Sequence, residues 1–159
     1  MKLLCIDPGP AKSAWLCWET ITHSLGAFGI DKNEDLALTL RSILFTQSVR
    51  TVCIEFPQSY GPGISAGASI MHTCRWVGRF EEAAIRAGIS PLKIKLYGRP
   101  TIKGQVGGRT DAEIRASLRM RYGEARKGEK LNGIKADLWA ALAIAVAVEE
   151  NPNLKVAEP

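Results

Sequence analysis

Three carboxylic acids stand where apolar segments begin or end. Asp7 closes the run KLLCID, Glu55 closes TVCIE, and Asp137 stands near the start of an Ala-rich stretch that is apolar from Leu138 to Val148. An ionised carboxylate in such surroundings is costly unless it is hydrogen-bonded, paired or bound to a metal. A set of oxygen-only ligands suits a hard cation, Mg²⁺ or Mn²⁺. Taken singly, each acid also has a structural account. Asp7 can be the turn residue of Asp-Pro-Gly, Glu55 a strand-end surface acid, and Asp137 a first-turn acid favoured by the helix dipole.

The other chemistry-bearing residues point nowhere so definite. Cys5, Cys17, Cys53 and Cys74 lack CxxC or Cys/His ligand spacing and read as buried thiols rather than disulfides or zinc ligands. His23 and His72 are isolated and read as ordinary polar residues. The net charge of +5 is unevenly spread: Arg86 to Lys130 holds twelve basic and four acidic residues, a local balance of +8. Such a segment is either a surface for a polyanion or a set of solvated helix faces.

The elements that must position these groups follow from periodicity. Residues 2–7, 13–18 and 25–30 read as three opening strands, separated by the Pro8-Gly9-Pro10 turn and by Thr22-His23-Ser24. Asn33 is expected to cap a helix over about 34–47, where Leu36, Leu40, Ile43 and Leu44 recur at helical spacing. Residues 51–55 form a fourth strand. A Pro/Gly/Ser-rich loop over 57–68 leads to a helix over about 69–87, ended by Gly88. Residues 92–97 read as a fifth strand, and 98–109, with five Gly/Pro and three basic residues, as a flexible basic loop. Thr110 with Glu113 is a capping-box pattern for the next helix. The last helix, about 134–149, is apolar on nearly every side and should be buried against the sheet.

The order β-β-β-α-β-α-β-α-α predicts one α/β domain over residues 1–150, a mixed five-stranded sheet flanked by helices, with a flexible tail over 151–159. No run approaches the roughly 18 apolar residues of a membrane span, and Met1-Lys2-Leu3-Leu4 enters a strand instead of a signal peptide, so a cytoplasmic protein without membrane contact is expected.

Together these segments resemble the RuvC family of Holliday-junction resolvases, within the RNase H-like superfamily. The opening LLCIDPGPAKSAWLCW looks like that family's first two strands, VCIEFP like its Glu-bearing strand, SIMHTCRWVGRF like the helix that follows, and KADLWAALAIA like its final Asp-bearing helix. The match in order spans about residues 2–148. Two positions depart from the pattern. The last helix usually bears a second acid three residues after the first, and Ala140 stands there. A functionally important Lys of the family falls on Asp111, which is read either as a fourth carboxylate ligand or as a helix-start residue. Lys103 or Arg109 is then expected to supply the missing positive charge.

The resemblance implies two-metal phosphodiester hydrolysis with Mg²⁺, or Mn²⁺ in its place: Asp7 shared by both ions, Glu55 and Asp137 each completing one side, and products with 5′-phosphate and 3′-hydroxyl ends. The implied substrate is branched DNA, chiefly the four-way junction. Lys93 and Lys95, alternating on one strand face, are expected to contact phosphates with Arg99, Lys103 and Arg109. Phe56 and Tyr60 stand where the family can place an aromatic against an unstacked base, although Phe56 reads equally as core. A junction has two strands to cut, which implies a twofold homodimer. Ile70, Trp76, Val77 and Phe80, with Gly78 for close approach, are the candidate interface, and an intramolecular core face explains the same stripe. The alternatives are an RNase H-like nuclease for flaps or RNA–DNA hybrids, and a weak or inactive branched-DNA-binding module, suggested by Ala140. An actin-like ATPase would need a second phosphate loop and a longer chain.

Overall fold

The structure, a computed structural model, describes residues 1–58 and 67–157. Strand β1 (Lys2–Pro8) turns back into β2 (Lys12–Glu19), and β2 pairs in turn with β3 (Ser24–Lys32), all antiparallel. The turn between β1 and β2 requires glycine at position 9, where a Cβ would stand 2.4 Å from the Lys12 carbonyl oxygen. On its other side β1 pairs parallel with β4 (Thr51–Phe56), which pairs parallel with β5 (Ile94–Gly98). The sheet order is β3-β2-β1-β4-β5, so β1 is central. Leu3, Leu4, Cys5 and Ile6 are all fully buried, the unbroken apolar run expected of a strand covered on both faces.

Helices α1 (Asn33–Thr46) and α2 (Ala68–Arg86) cover one face. Leu36, Leu40 and Leu44 of α1, with Trp76, Val77, Phe80 and Ala84 of α2, pack there with Leu4, Ile6, Val52 and Ile54. The other face carries α5 (Leu138–Glu150), with α3 (Arg99–Val106) and α4 (Asp111–Tyr122) outside it. That sandwich explains why α5 is apolar nearly all round: Leu142, Ile144, Ala145, Val146 and Ala147 are all fully buried. The five-stranded mixed sheet flanked by helices is as the sequence predicts.

Several local expectations are corrected. Residues 99–106, read as part of a loop, are helix α3. Pro100 fits its first turn, Ile102 and Val106 are buried one turn apart, and Gly107 (φ 88°) closes it by donating its N–H to the Lys103 carbonyl. Lys93 belongs to a 3-10 turn, Pro91–Lys93, so it does not share a strand face with Lys95. Asn33 caps nothing. It is fully buried, its amide donates to the Gly9 carbonyl (2.9 Å) and its oxygen accepts from the Ser13 hydroxyl (2.6 Å), which ties the first turn to α1. The last helix starts at Leu138 rather than near 134.

Two larger readings also change. Trp76, Val77 and Phe80, expected at a dimer interface, are 7%, 1% and 0% exposed within this chain, because the sheet needs α2 as its cover. Ile70 is half-buried, and Gly78 faces open space, so it permits no close approach here. The tail is not frayed up to residue 157: Leu154 is buried in the α5-side core, and the Ala157 N–H donates to the Leu96 carbonyl (2.8 Å) on the outer edge of β5. Cys5, Cys17 and Cys53 are buried free thiols, and Cys74 is a half-buried one.

Candidate active site

The sheet register brings the first two acids together. Ile6 pairs with Ile54 in the parallel β1–β4 ladder, so Asp7 and Glu55 follow as neighbours where both strands end. Cys5 and Cys53, two residues back, lie in the core beneath α5, and strand alternation puts Asp7 and Glu55 on that same face. The carboxyl ends of parallel strands are where open α/β sheets bind ligands. Asp137 arrives from above, as the N-cap of α5. It makes no side-chain cap bond, so the helix does not consume its carboxylate. Ala136 just before it is left-handed (φ 45°), unusual for a residue with a Cβ, and it lines the same cavity.

That cavity, about 120 Å³, is lined by Asp7, Glu55, Asp111 and Asp137 and by the cations Arg99 and Lys103. Ala140, one turn along α5 from Asp137, also lines it. Asp111 opens α4 behind the Thr110–Glu113 capping box, and it also borders the cavity.

Arg99, at the start of α3, bridges the acids. Its Nη1 donates to Glu55 Oε1 (3.0 Å), and its Nη2 to Asp111 Oδ1 (3.1 Å) and Oδ2 (3.2 Å). Lys103, one turn further, stands 2.8 Å from Asp111 Oδ1. Burial, and then the charge of Glu55, push the Asp7 carboxyl up to about 8, against the pull of Arg99. Burial also raises Glu55, more than Arg99 lowers it. Asp111 moves the other way, held below the ordinary carboxylate range by the hydrogen bond from Lys103 and by Arg99. For Arg99 burial disfavours the charge, but Glu55 and Asp111 outweigh it and keep the guanidinium protonated.

The donor set fits a hard divalent cation in its chemistry. All the candidate ligands are carboxylates, and a bound cation would offset both the burial of Asp7 and the repulsion from Glu55 that raise its carboxyl. Among the described residues, however, no three such groups converge closely enough to hold an ion as they stand, and Glu55 Oε1 already accepts from Arg99.

The expected DNA contacts divide. Arg99, Lys103 and Arg109 gather beside the cavity, around a second hollow over α3. Lys95 lies half-buried on β5 in the row behind Tyr97, the partner of Glu55, and Lys93 lies further from the acids. Phe56 packs on the α1/α2 side of the sheet, away from the carboxylates. Tyr60 lies outside the described residues. Sequence reasoning missed Arg99 as the partner of Glu55, and Arg115 and Trp139 as lining residues. The signal was the Ile102/Val106 spacing, which makes 99–106 a helix and puts Arg99 and Lys103 on one face.

No protein-family model matches the sequence, and no curated protein matches it. Solved structures do match. A structure described as "T. thermophilus RuvC in complex with Holliday junction substrate" superposes with a TM-score of 0.74 at 18% identity, covering 100% of this chain and 99% of the other. A second, "Thermus thermophilus RuvC structure", gives 0.71 at 18% identity with the same coverage. Among the described residues no helix is long and apolar enough to cross a membrane. The described residues therefore have the fold of these RuvC structures.

Proposed function

We propose that this chain is a structure-selective endodeoxyribonuclease that cuts branched DNA, chiefly four-way junctions. One observation carries the reading: Asp7, Glu55 and Asp137, from β1, β4 and α5, line a single cavity whose rim is basic, in a fold shared with a solved RuvC–Holliday junction complex. Asp7 would hold two Mg²⁺ or Mn²⁺ ions with Glu55 on one side and Asp137 on the other. When bound, they supply activation of water and stabilisation of the leaving 3′ oxygen, so the products carry 5′-phosphate and 3′-hydroxyl ends. The protein's own contribution is placement. The β1–β4 register sets Asp7 beside Glu55, Asp137 follows the left-handed Ala136, and Lys103, Arg109 and Arg115 would draw the backbone phosphate to the cavity mouth.

A twofold homodimer would present two such sites to the two strands of a junction. With Trp76, Val77 and Phe80 committed to the core, the outward face of α2 is the better candidate: Gly78 is open there and Met71 is 62% exposed. A second reading, a junction-binding module that cuts weakly or not at all, is favoured by Ala140 lining the cavity and by the Arg99–Glu55 pair.

The test is incubation of purified protein with a labelled four-way junction, a flap and an RNA–DNA hybrid, each with Mg²⁺ and with chelator. Metal-dependent, paired nicks in the junction above the other substrates support the proposal. Preference for the hybrid or flap would reassign the substrate, and tight junction binding without cleavage would favour the binding module.

A further inference from the structure

Arg99 is rooted in the first turn of α3 beside Pro100, and its guanidinium spans two unlike partners. Glu55 is 9% exposed and anchored in β4, whereas the Asp111 side chain is 57% exposed at the start of α4. A cation on Glu55 satisfies the charge that an ion at the same carboxylate would satisfy, and two cations side by side repel each other. Asp111, also within reach of Lys103, gives Arg99 a second anchor, so letting go of Glu55 does not strand the guanidinium without a counter-ion. The hollow formed by Arg99, Lys103 and Arg109 opens beside the cavity, where a backbone phosphate would offer the guanidinium a bidentate partner.

Resting on the proposed function, we infer that Arg99 is a displaceable internal counter-ion. It holds Glu55 in the DNA-free protein and is handed to a DNA phosphate, which opens Glu55 to the ion. Asp111 is the positioning residue of this exchange. Ion loading is thereby coupled to DNA: without a phosphate the site binds its ion poorly, and with one it closes.

The experiment is Mn²⁺ binding to DNA-free protein, read from the loss of the free-ion paramagnetic resonance signal. Arg99→Gln should tighten Mn²⁺ about fivefold or more, the lower end of ordinary coupling between ligands. Arg99→Lys, which keeps the charge but reaches one acid at a time, should fall between Arg99→Gln and wild type, and it serves if Arg99→Gln fails to fold. Asp111→Asn should weaken binding in the wild-type background and change nothing in Arg99→Gln, because Asp111 acts through Arg99. Equal loss in both backgrounds would make Asp111 a direct ligand and overturn its positioning role. Unchanged or weaker binding in Arg99→Gln would overturn the counter-ion itself, while the proposed function would stand as long as Asp7→Asn still abolished binding. Binding untouched by Asp7→Asn would overturn both.

Discussion

The four acids of the cavity form two pairs with opposite characters. Asp7 and Glu55 leave the ends of adjacent central strands, are largely buried, and are both raised by that burial, Asp7 to about 8. Asp111 and Asp137 stand at the starts of α4 and α5 and are exposed, and Asp111 is paired with Arg99 and Lys103. The difference is one of constraint. A strand-end carboxylate is placed by a ladder of backbone hydrogen bonds and has few alternatives. A helix-start carboxylate has solvent and surface cations to choose from, so it can adjust. The buried pair gives the site its fixed geometry, and the exposed pair sets how readily it fills.

If that division holds, the largest effect belongs to the fixed pair. Asp7→Asn should cut cleavage by more than about 100-fold, beyond the loss typical of removing a mere supporting partner of a metal ligand. Junction affinity should stay within a few fold, since no negative charge is added to the DNA surface. Steady-state cleavage and gel-shift titration on the same preparation check both, and wild-type cutting would place the site elsewhere. On the adjustable side, Asp137→Asn should also inactivate, whereas Ala140→Asp should remain active and need less Mg²⁺ for half-maximal cleavage. Position 140 lines the cavity and would add a ligand. A Mg²⁺ titration reads this, and full activity of Asp137→Asn would pass its role to Asp111.

Smaller effects sharpen the contrast further. Replacing Lys103 and Arg109 together by Ala should weaken binding to all sequences and reduce the slope of log affinity against log salt by about 2, roughly 0.9 per phosphate contact. An unchanged slope would move the DNA surface off α3. The smallest effect is on stability. Because the folded-state pKa of Asp7 is raised, the folded protein keeps a proton that the unfolded chain gives up near pH 4, so stability falls as pH rises from there through about 8. In metal-free buffer at pH 8, Asp7→Asn should therefore melt about 4 °C or more above wild type, equivalent to roughly 1–2 kcal/mol. The gap should close near pH 4, and thermal melts across that range would show it.

Much of this was legible in the residues. Apolar runs ending in Asp7 and Glu55 mark the paired strand ends, the Thr110–Glu113 capping box forms as its spacing predicts, and the all-round apolar character of 138–148 foretells burial between sheet and outer helices. What could not be read turned on tertiary partners. The Gly and Pro content of 98–109 argues for a loop, but cover from α5 rewards burial of Ile102 and Val106, and the helix wins. The stripe on α2 is the same whether it faces a second subunit or the chain's own sheet, and only the sheet's need for cover decides. Asn33 looks like a cap because caps are often Asn, yet the buried carbonyl of Gly9 and hydroxyl of Ser13 claim its side chain.

Cutting is read most directly from an end-labelled immobile four-way junction mixed with the wild-type protein in Mg²⁺, resolved on a denaturing gel and followed by ligation of the products. A resolving nuclease leaves paired nicks that appear only with the metal and that ligase can reseal. A junction that stays intact in both Mg²⁺ and Mn²⁺, while being bound by the protein, would contradict the proposed function.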